Sequence, residues 1–158
     1  MIGGKRVGIV LPAYNAAATL ADVIAGVPPG LADEVLLVDD ASTDGTADVA
    51  RRLGIDVIEH THNQGYGANQ KTCYDAMLAR GVDVVAMLHP DDQYPGALLP
   101  RLIAPIVDGA YDLMLGSRFC GLDPRDGGMP EYKFVMNRLL TWSQNRVMGT
   151  RLSEFHTG

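Results

Sequence analysis

Short apolar runs that end in polar, acid-rich clusters recur along this chain, and longer segments with helical spacing lie between them. No other feature narrows the fold as far. Residues 7–11, 35–38, 57–59, 84–88 and 113–116 read as buried strands. Residues 16–25, 46–53, 68–79, 96–107 and 134–147 read as helices, the first with Leu20, Val23 and Ile24 on one side and the last with Phe134, Val135, Leu139, Trp142 and Val147 on one side. Val27-Pro28-Pro29-Gly30 breaks the first helix, Asp44 stands where it caps the second, and Pro95 suits the start of the fourth. Strand and helix repeated in this order predict an α/β class, a Rossmann-like, mostly parallel sheet with helices on both faces. Ligands in such sheets bind beyond the carboxyl ends of the strands, and that is where residues 12–15, 39–43, 89–93 and Ser117-Arg118 fall.

Composition removes other classes. With 158 residues the chain has room for one domain, and 47% apolar with 20% charged residues is globular, not disordered. A net charge of -6 opposes general nucleic-acid binding, which needs a basic face. No apolar run approaches the ~20 residues of a membrane span, and the first residues do not read as a signal peptide. Cys73 and Cys120 are expected as free thiols in a reducing, cytoplasmic compartment. The last residues, 153–158, stop without a closing helix or polar tail, so the single domain over 1–158 is expected to be truncated at its C-terminal end.

Three clusters carry candidate chemistry. Asp39 and Asp40 follow the second strand, where adjacent acids can accept hydrogen bonds from a base and from ribose hydroxyls. Ser42 and Asp44 beside them fit a turn and a helix cap. His89, Asp91 and Gln93 alternate after the fourth strand, so an extended stretch points them to one side. A carboxylate, an imidazole and an amide suit Mg²⁺ or Mn²⁺ whose other sites are filled by diphosphate and water. Arg118 is placed to fork onto a phosphate. Residues 120–130 read as a glycine- and proline-rich loop, either a closing lid or a plain insertion. The glycines at 65 and 67 lack the third residue of a dinucleotide fingerprint, and His60 with His62 lacks further metal ligands.

Taken together, Leu11-Pro12-Ala13-Tyr14-Asn15, Val38-Asp39-Asp40-Ala41-Ser42-Thr43-Asp44-Gly45-Thr46, Asn63-Gln64-Gly65-Tyr66-Gly67-Ala68, His89-Pro90-Asp91-Asp92-Gln93-Tyr94-Pro95 and Gly116-Ser117-Arg118 resemble the family 2 glycosyltransferases, with the dolichyl- or polyprenyl-phosphate sugar synthases the most similar branch. The resemblance runs from about Lys5 to the end. It implies a GT-A fold, a UDP- or GDP-linked sugar donor, inversion at the anomeric carbon, and Mn²⁺ or Mg²⁺ as cofactor. Carried over, Pro12, Ala13, Tyr14, Asn15, Asp39, Asp40, Ser42 and Gly67 would line the donor site and Arg118 would touch its diphosphate. Asp91 would be the main metal ligand and His89 and Gln93 its companions, His89 standing where the family usually has Asp. Glu154, and after it Asp92, would serve as base if the acceptor were a hydroxyl; a lipid-phosphate acceptor needs none. The expected acceptor is a polyprenyl or dolichyl phosphate, with a saccharide hydroxyl of cell-wall or polysaccharide synthesis as the alternative. Peripheral membrane contact through a missing C-terminal part is a further expectation. Two other readings stay open, a nucleotidyltransferase on a similar sheet and a nucleotide-binding module with impaired catalysis.

Overall fold

The computed structural model describes residues 1–119, 123–126 and 128–155, and the chain divides into two units, Met1–Met114 and Leu115–Gly158. In the first unit, β1 (Val7–Ala13), β2 (Glu34–Asp39), β3 (Asp56–Glu59) and β4 (Val84–Met87) form a parallel sheet in the order β3-β2-β1-β4. Between and after them lie α1 (Leu20–Ala25), α2 (Thr46–Arg52), α3 (Tyr66–Ala79) and α4 (Leu99–Val107), the last entered through a 3-10 turn at Gly96–Leu98. Every residue of β1 is buried, as the central strand of a sheet covered on both faces requires.

Alternation along the strands assigns the two cores. Ile9, Leu11, Ala13 and Leu37 meet Leu20 and Val23 of α1, Ala50 of α2, and Leu99 and Ile103 of α4. Val10, Leu36 and Val38 meet Cys73 and Met77 of α3 on the other face. Helices therefore cover both faces, as the sequence predicts. Cys73 is a free thiol, and burial pushes its pKa up to about 12; Cys120 lies outside the described residues.

Three differences from the expected elements have physical causes. The first strand runs through Pro12 to Ala13. Alternate residues of β1 face β2 and β4: the Ala13 carbonyl accepts from Asp40 N–H on the β2 side, and the Val10 carbonyl accepts from Leu88 N–H on the β4 side. Pro12 shares the parity of Val10, and β4 ends at Met87, opposite Val10. The missing proline N–H thus faces a place where no strand needs it. The first helix starts at Leu20, four residues later than the spacing suggests, because the N–H groups of Ala16 and Ala17 are given to the loop after β2. Residues 113–116 form no strand. Leu113 and Leu115 are exposed, and among the described residues β4 pairs only with β1.

The second unit contains α5 (Glu131–Met148). Its buried residues are polar, Asn137 and Thr141, whereas Val135, Leu139, Trp142 and Val147 are exposed. Most of the apolar side that the spacing marks is thus exposed. The reason lies in the partner of the inner side: Asn137 Nδ2 donates to the buried carboxylate of Glu154 at 2.8 Å. No helix among the described residues is long and apolar enough to cross a membrane.

Candidate functional site

Strand order places the site. Connections after β1 run to one side and the return through β4 runs to the other, so a crevice opens where β1 and β4 part. β1 outruns β4 there, and a cavity of about 350 Å³ lies at that point, lined by Pro12, Tyr14, Asn15, Thr19, His89 and Asp91 among others. Five of the expected site residues therefore meet at one opening. Thr19 Oγ1 donates to the Pro90 carbonyl and so links the β1 and β4 loops across it.

The loops after β1 and β2 are joined side by side. Asn15 N–H donates to Ser42 Oγ at 2.8 Å, and Thr43 N–H donates back to Asn15 Oδ1 at 2.9 Å. Ala17 N–H donates to Asp44 Oδ2 at 2.9 Å. The buried Thr46 hydroxyl donates to Asp44 Oδ1 at 2.5 Å and accepts from Ala16 N–H at 2.8 Å. Asp39 is buried at the end of β2 and accepts from Ser42 N–H at 3.0 Å and Ser42 Oγ at 2.5 Å. Burial raises the Asp44 carboxyl, but hydrogen bonds from Thr46 and Ala17 outweigh it and hold the group below its usual range. Among the described residues, the non-glycine positions with positive φ are Asn15, Ala41 and Asp92, all in strand-end loops. Thr46→Val removes the hydroxyl that bridges the two loops, and we expect a loss of about 1–3 kcal/mol of stability, read by urea denaturation.

Asp40 does different work from its neighbour. Its Oδ1 accepts from Gln64 N–H at 2.9 Å and lies 2.7 Å from His60 Nδ1; its Oδ2 accepts from Gly65 N–H at 2.8 Å. His60 Nε2 lies 3.0 Å from Thr72 Oγ1. Asp40 is thus buried and spent on fixing the turn into α3, and it is not among the residues that line the cavity. Ala13 is buried too, its carbonyl taken by Asp40 N–H and by Asn69 Nδ2. Gly67 is exposed in the first turn of α3.

After β4, Asp91 is exposed and accepts Gln93 N–H at 3.1 Å, which leaves most of its lone pairs open. Asp92 and Gln93 are exposed beside it. His89 Nε2 lies 3.0 Å from Tyr66 Oη, with the ring between Tyr66 and Tyr94. Burial lowers the His89 pKa, an effect that Asp91 partly opposes. Among the described residues, no group of three or more His, Cys, Asp or Glu side chains is arranged to hold a metal alone. One open carboxylate at a cavity mouth fits a hard divalent cation that takes its other ligands from substrate phosphates and water.

Arg118 and Glu154 belong to the second unit. Glu154 is 2% exposed and accepts from Arg118 Nε at 3.0 Å, Arg118 Nη2 at 2.5 Å, Arg118 N–H at 2.9 Å and Asn137 Nδ2. The carboxylate expected as a base is thus buried in a charge-paired network. Residues 120–122 and 127 of the expected lid lie outside the described residues. Local reading weighs His60 as a metal ligand, quotes Thr46 and Tyr66 within motifs without giving them a role, and does not single out Asn69. The signal for Asn69 was a polar residue on the inner face of α3, where its Nδ2 bridges the Ala13 and Val38 carbonyls.

Comparison with known proteins agrees with this arrangement. A family model described as glycosyl transferase family 2 matches residues 8–156. A polyprenol monophosphomannose synthase from Mycolicibacterium smegmatis is 30% identical over 122 residues, 73% of this chain and 46% of that protein. A dolichyl-phosphate hexose transferase from Haloferax volcanii is 35% identical over 113 residues, 70% of this chain and 46% of that protein. Glucosyl-3-phosphoglycerate synthase from Mycobacterium tuberculosis, solved with Mn²⁺, UDP-glucose and phosphoglyceric acid, superposes with a TM-score of 0.56 at 29% identity, over 67% of this chain and 41% of that one. The chain spans half or less of the length of the relatives it matches.

Proposed function

Because the chain belongs to glycosyl transferase family 2, we propose that its crevice between β1 and β4 binds a nucleoside-diphosphate sugar, and that the sugar passes with inversion to a polyprenyl phosphate. The fold is GT-A, a parallel sheet with flanking helices. The observation that carries the reading is the cavity at the split between the strands, with Asp91 open at its lining.

Pro12, Tyr14 and Asn15 line the nucleoside end, and the joined loops hold Asp39 nearby. Asp91 would hold Mn²⁺ or Mg²⁺ together with the donor diphosphate, with Gln93 beside it. Such an ion supplies positive charge where the leaving diphosphate gains negative charge. The acceptor attacks the anomeric carbon from the face opposite the leaving group. A phosphate acceptor is already an anion and needs no base, which agrees with Glu154 being committed to Arg118 and Asn137. The relatives named for polyprenol and dolichyl phosphate favour the same acceptor class.

The test is calorimetric titration with UDP and with GDP, each with and without Mn²⁺. Tight binding of one of them only when Mn²⁺ is present is the expected result and identifies the base. Binding of neither would overturn the reading.

A further inference from the structure

Three side chains around His89 decide which of its nitrogens carries the proton. Gln70 Nε2 lies 2.6 Å from Tyr66 Oη and 3.3 Å from Met87 Sδ. A thioether sulfur has no hydrogen to give, so the end of the Gln70 amide that faces it is the NH₂. Tyr66 Oη therefore accepts from Gln70. For its own proton the nearer of the two neighbouring protein acceptors is His89 Nε2 at 3.0 Å, against the Met87 sulfur at 3.9 Å. A ring nitrogen that accepts carries no proton, so the neutral imidazole holds its hydrogen on Nδ1.

We propose that Tyr66 and Gln70 lock His89 as the Nδ1–H tautomer, so that this ring donates a hydrogen bond to a phosphate oxygen of the bound nucleotide and is withheld from the metal. The proposal deepens the nucleotide-sugar reading and rests on it for the identity of the ligand. A metal ligand needs a free lone pair, and this tautomer has none: Nδ1 carries hydrogen, and the Nε2 pair is engaged by the Tyr66 hydroxyl. Phosphate oxygens only accept hydrogen bonds. His89 and Asp91 line the same cavity, and of the two only His89 brings a donor. The sequence placed His89 among the metal ligands; the hydrogen-bond network gives it the complementary task and leaves Asp91 as the charged ligand. Tyr66 and Gln70 are then positioning residues.

The tautomer is read in the protein without nucleotide. Nitrogen-15 labelling of the four histidines, with a long-range proton–nitrogen spectrum at about pH 8, should show His89 with a protonated Nδ1 and an unprotonated Nε2. Its signals are assigned by their loss in His89→Gln. Tyr66→Phe should convert the ring to a mixture of tautomers. A protonated Nε2 in the wild type would overturn the lock. Binding is read by calorimetry. Asparagine places its NH₂ near the position of Nδ1, and glutamine reaches the position of Nε2. His89→Asn should keep UDP or GDP affinity within about threefold, and His89→Gln should lose about tenfold. The opposite order would overturn the donor role. Equal losses for the free nucleoside and its diphosphate would overturn the assignment to phosphate. Pulsed electron resonance of Mn²⁺ bound with nucleotide should show no histidine nitrogen coupling, and such coupling would overturn the exclusion from the metal. Failure of either nucleotide to bind the wild type overturns the nucleotide reading and the phosphate contact with it, while the tautomer stands or falls on the spectrum alone.

Discussion

Asp91→Ala should abolish the Mn²⁺-dependent part of nucleotide binding and lower sugar transfer by about a thousandfold, with the melting temperature nearly unchanged. The two halves of this expectation come from the same geometry. Asp91 is exposed, and among the described residues its side chain accepts a hydrogen bond from Gln93 N–H. Truncating such a residue costs within about 0.5 kcal/mol of stability. Its charge, in contrast, is the open carboxylate at the cavity, and removal of a charge-stabilising group that acts on a leaving group costs about 10²–10³ in turnover. Calorimetry with UDP and GDP, with and without Mn²⁺, measures the first effect, and a thermal melt measures the second. An Asp91→Ala protein that still binds nucleotide more tightly with Mn²⁺ would refute the assignment of the ion.

Asp40→Ala should do the reverse, costing about 3–5 kcal/mol of stability, because it leaves buried donors from Gln64, Gly65 and His60 without their acceptor. For a chain of this length that corresponds to a fall of roughly 10 °C in melting temperature. The loss has a defined pH window. Burial raises the Asp40 carboxyl, but hydrogen bonds from Gln64 N–H, His60 and Gly65 N–H outweigh it, and the net pKa lies below the usual carboxylate value. A carboxyl lowered on folding contributes its stability fully above the unfolded pKa, near ~3.9, and loses it as the pH falls through the folded value. The stability gap between wild type and Asp40→Asn should therefore stay constant from neutral pH to about pH 5 and narrow below about pH 4. Urea denaturation across that range measures it, and a gap that narrows already at pH 6 would assign the effect to another group.

The architecture was legible because its determinants are local. The apolar runs that became β1 to β4 and the stops at Pro28 and Gly81 are set by neighbours in sequence. The polar clusters at strand ends pointed to the crevice because a parallel sheet places them there. What stayed hidden depends on partners far along the chain. Asp39 and Asp40 look alike in sequence, yet one holds Ser42 in its own loop and the other holds residues 60–65. Thr46 reads as an ordinary start to a helix until its hydroxyl meets Ala16 N–H. Residues 113–116 have strand-like residues, but a strand needs a neighbouring backbone, and composition does not supply one. In α5 the spacing marks an apolar side, but which side is buried depends on Glu154, whose carboxylate accepts from Asn137.

The left-handed residues Asn15, Ala41 and Asp92 have a thermodynamic consequence. A residue with a side chain held at positive φ costs about 1 kcal/mol or more, and here that cost falls on folding. The bonds that join residues 15–17 to 42–46 hold the bends at Asn15 and Ala41 in place before any ligand arrives. A nucleotide entering the crevice thus meets loops whose conformational entropy has already been lost, and less of its contact energy is consumed in ordering them. The same arrangement ties affinity to the integrity of the turns, so a substitution that relaxes one bend stabilises the fold and weakens the ligand together.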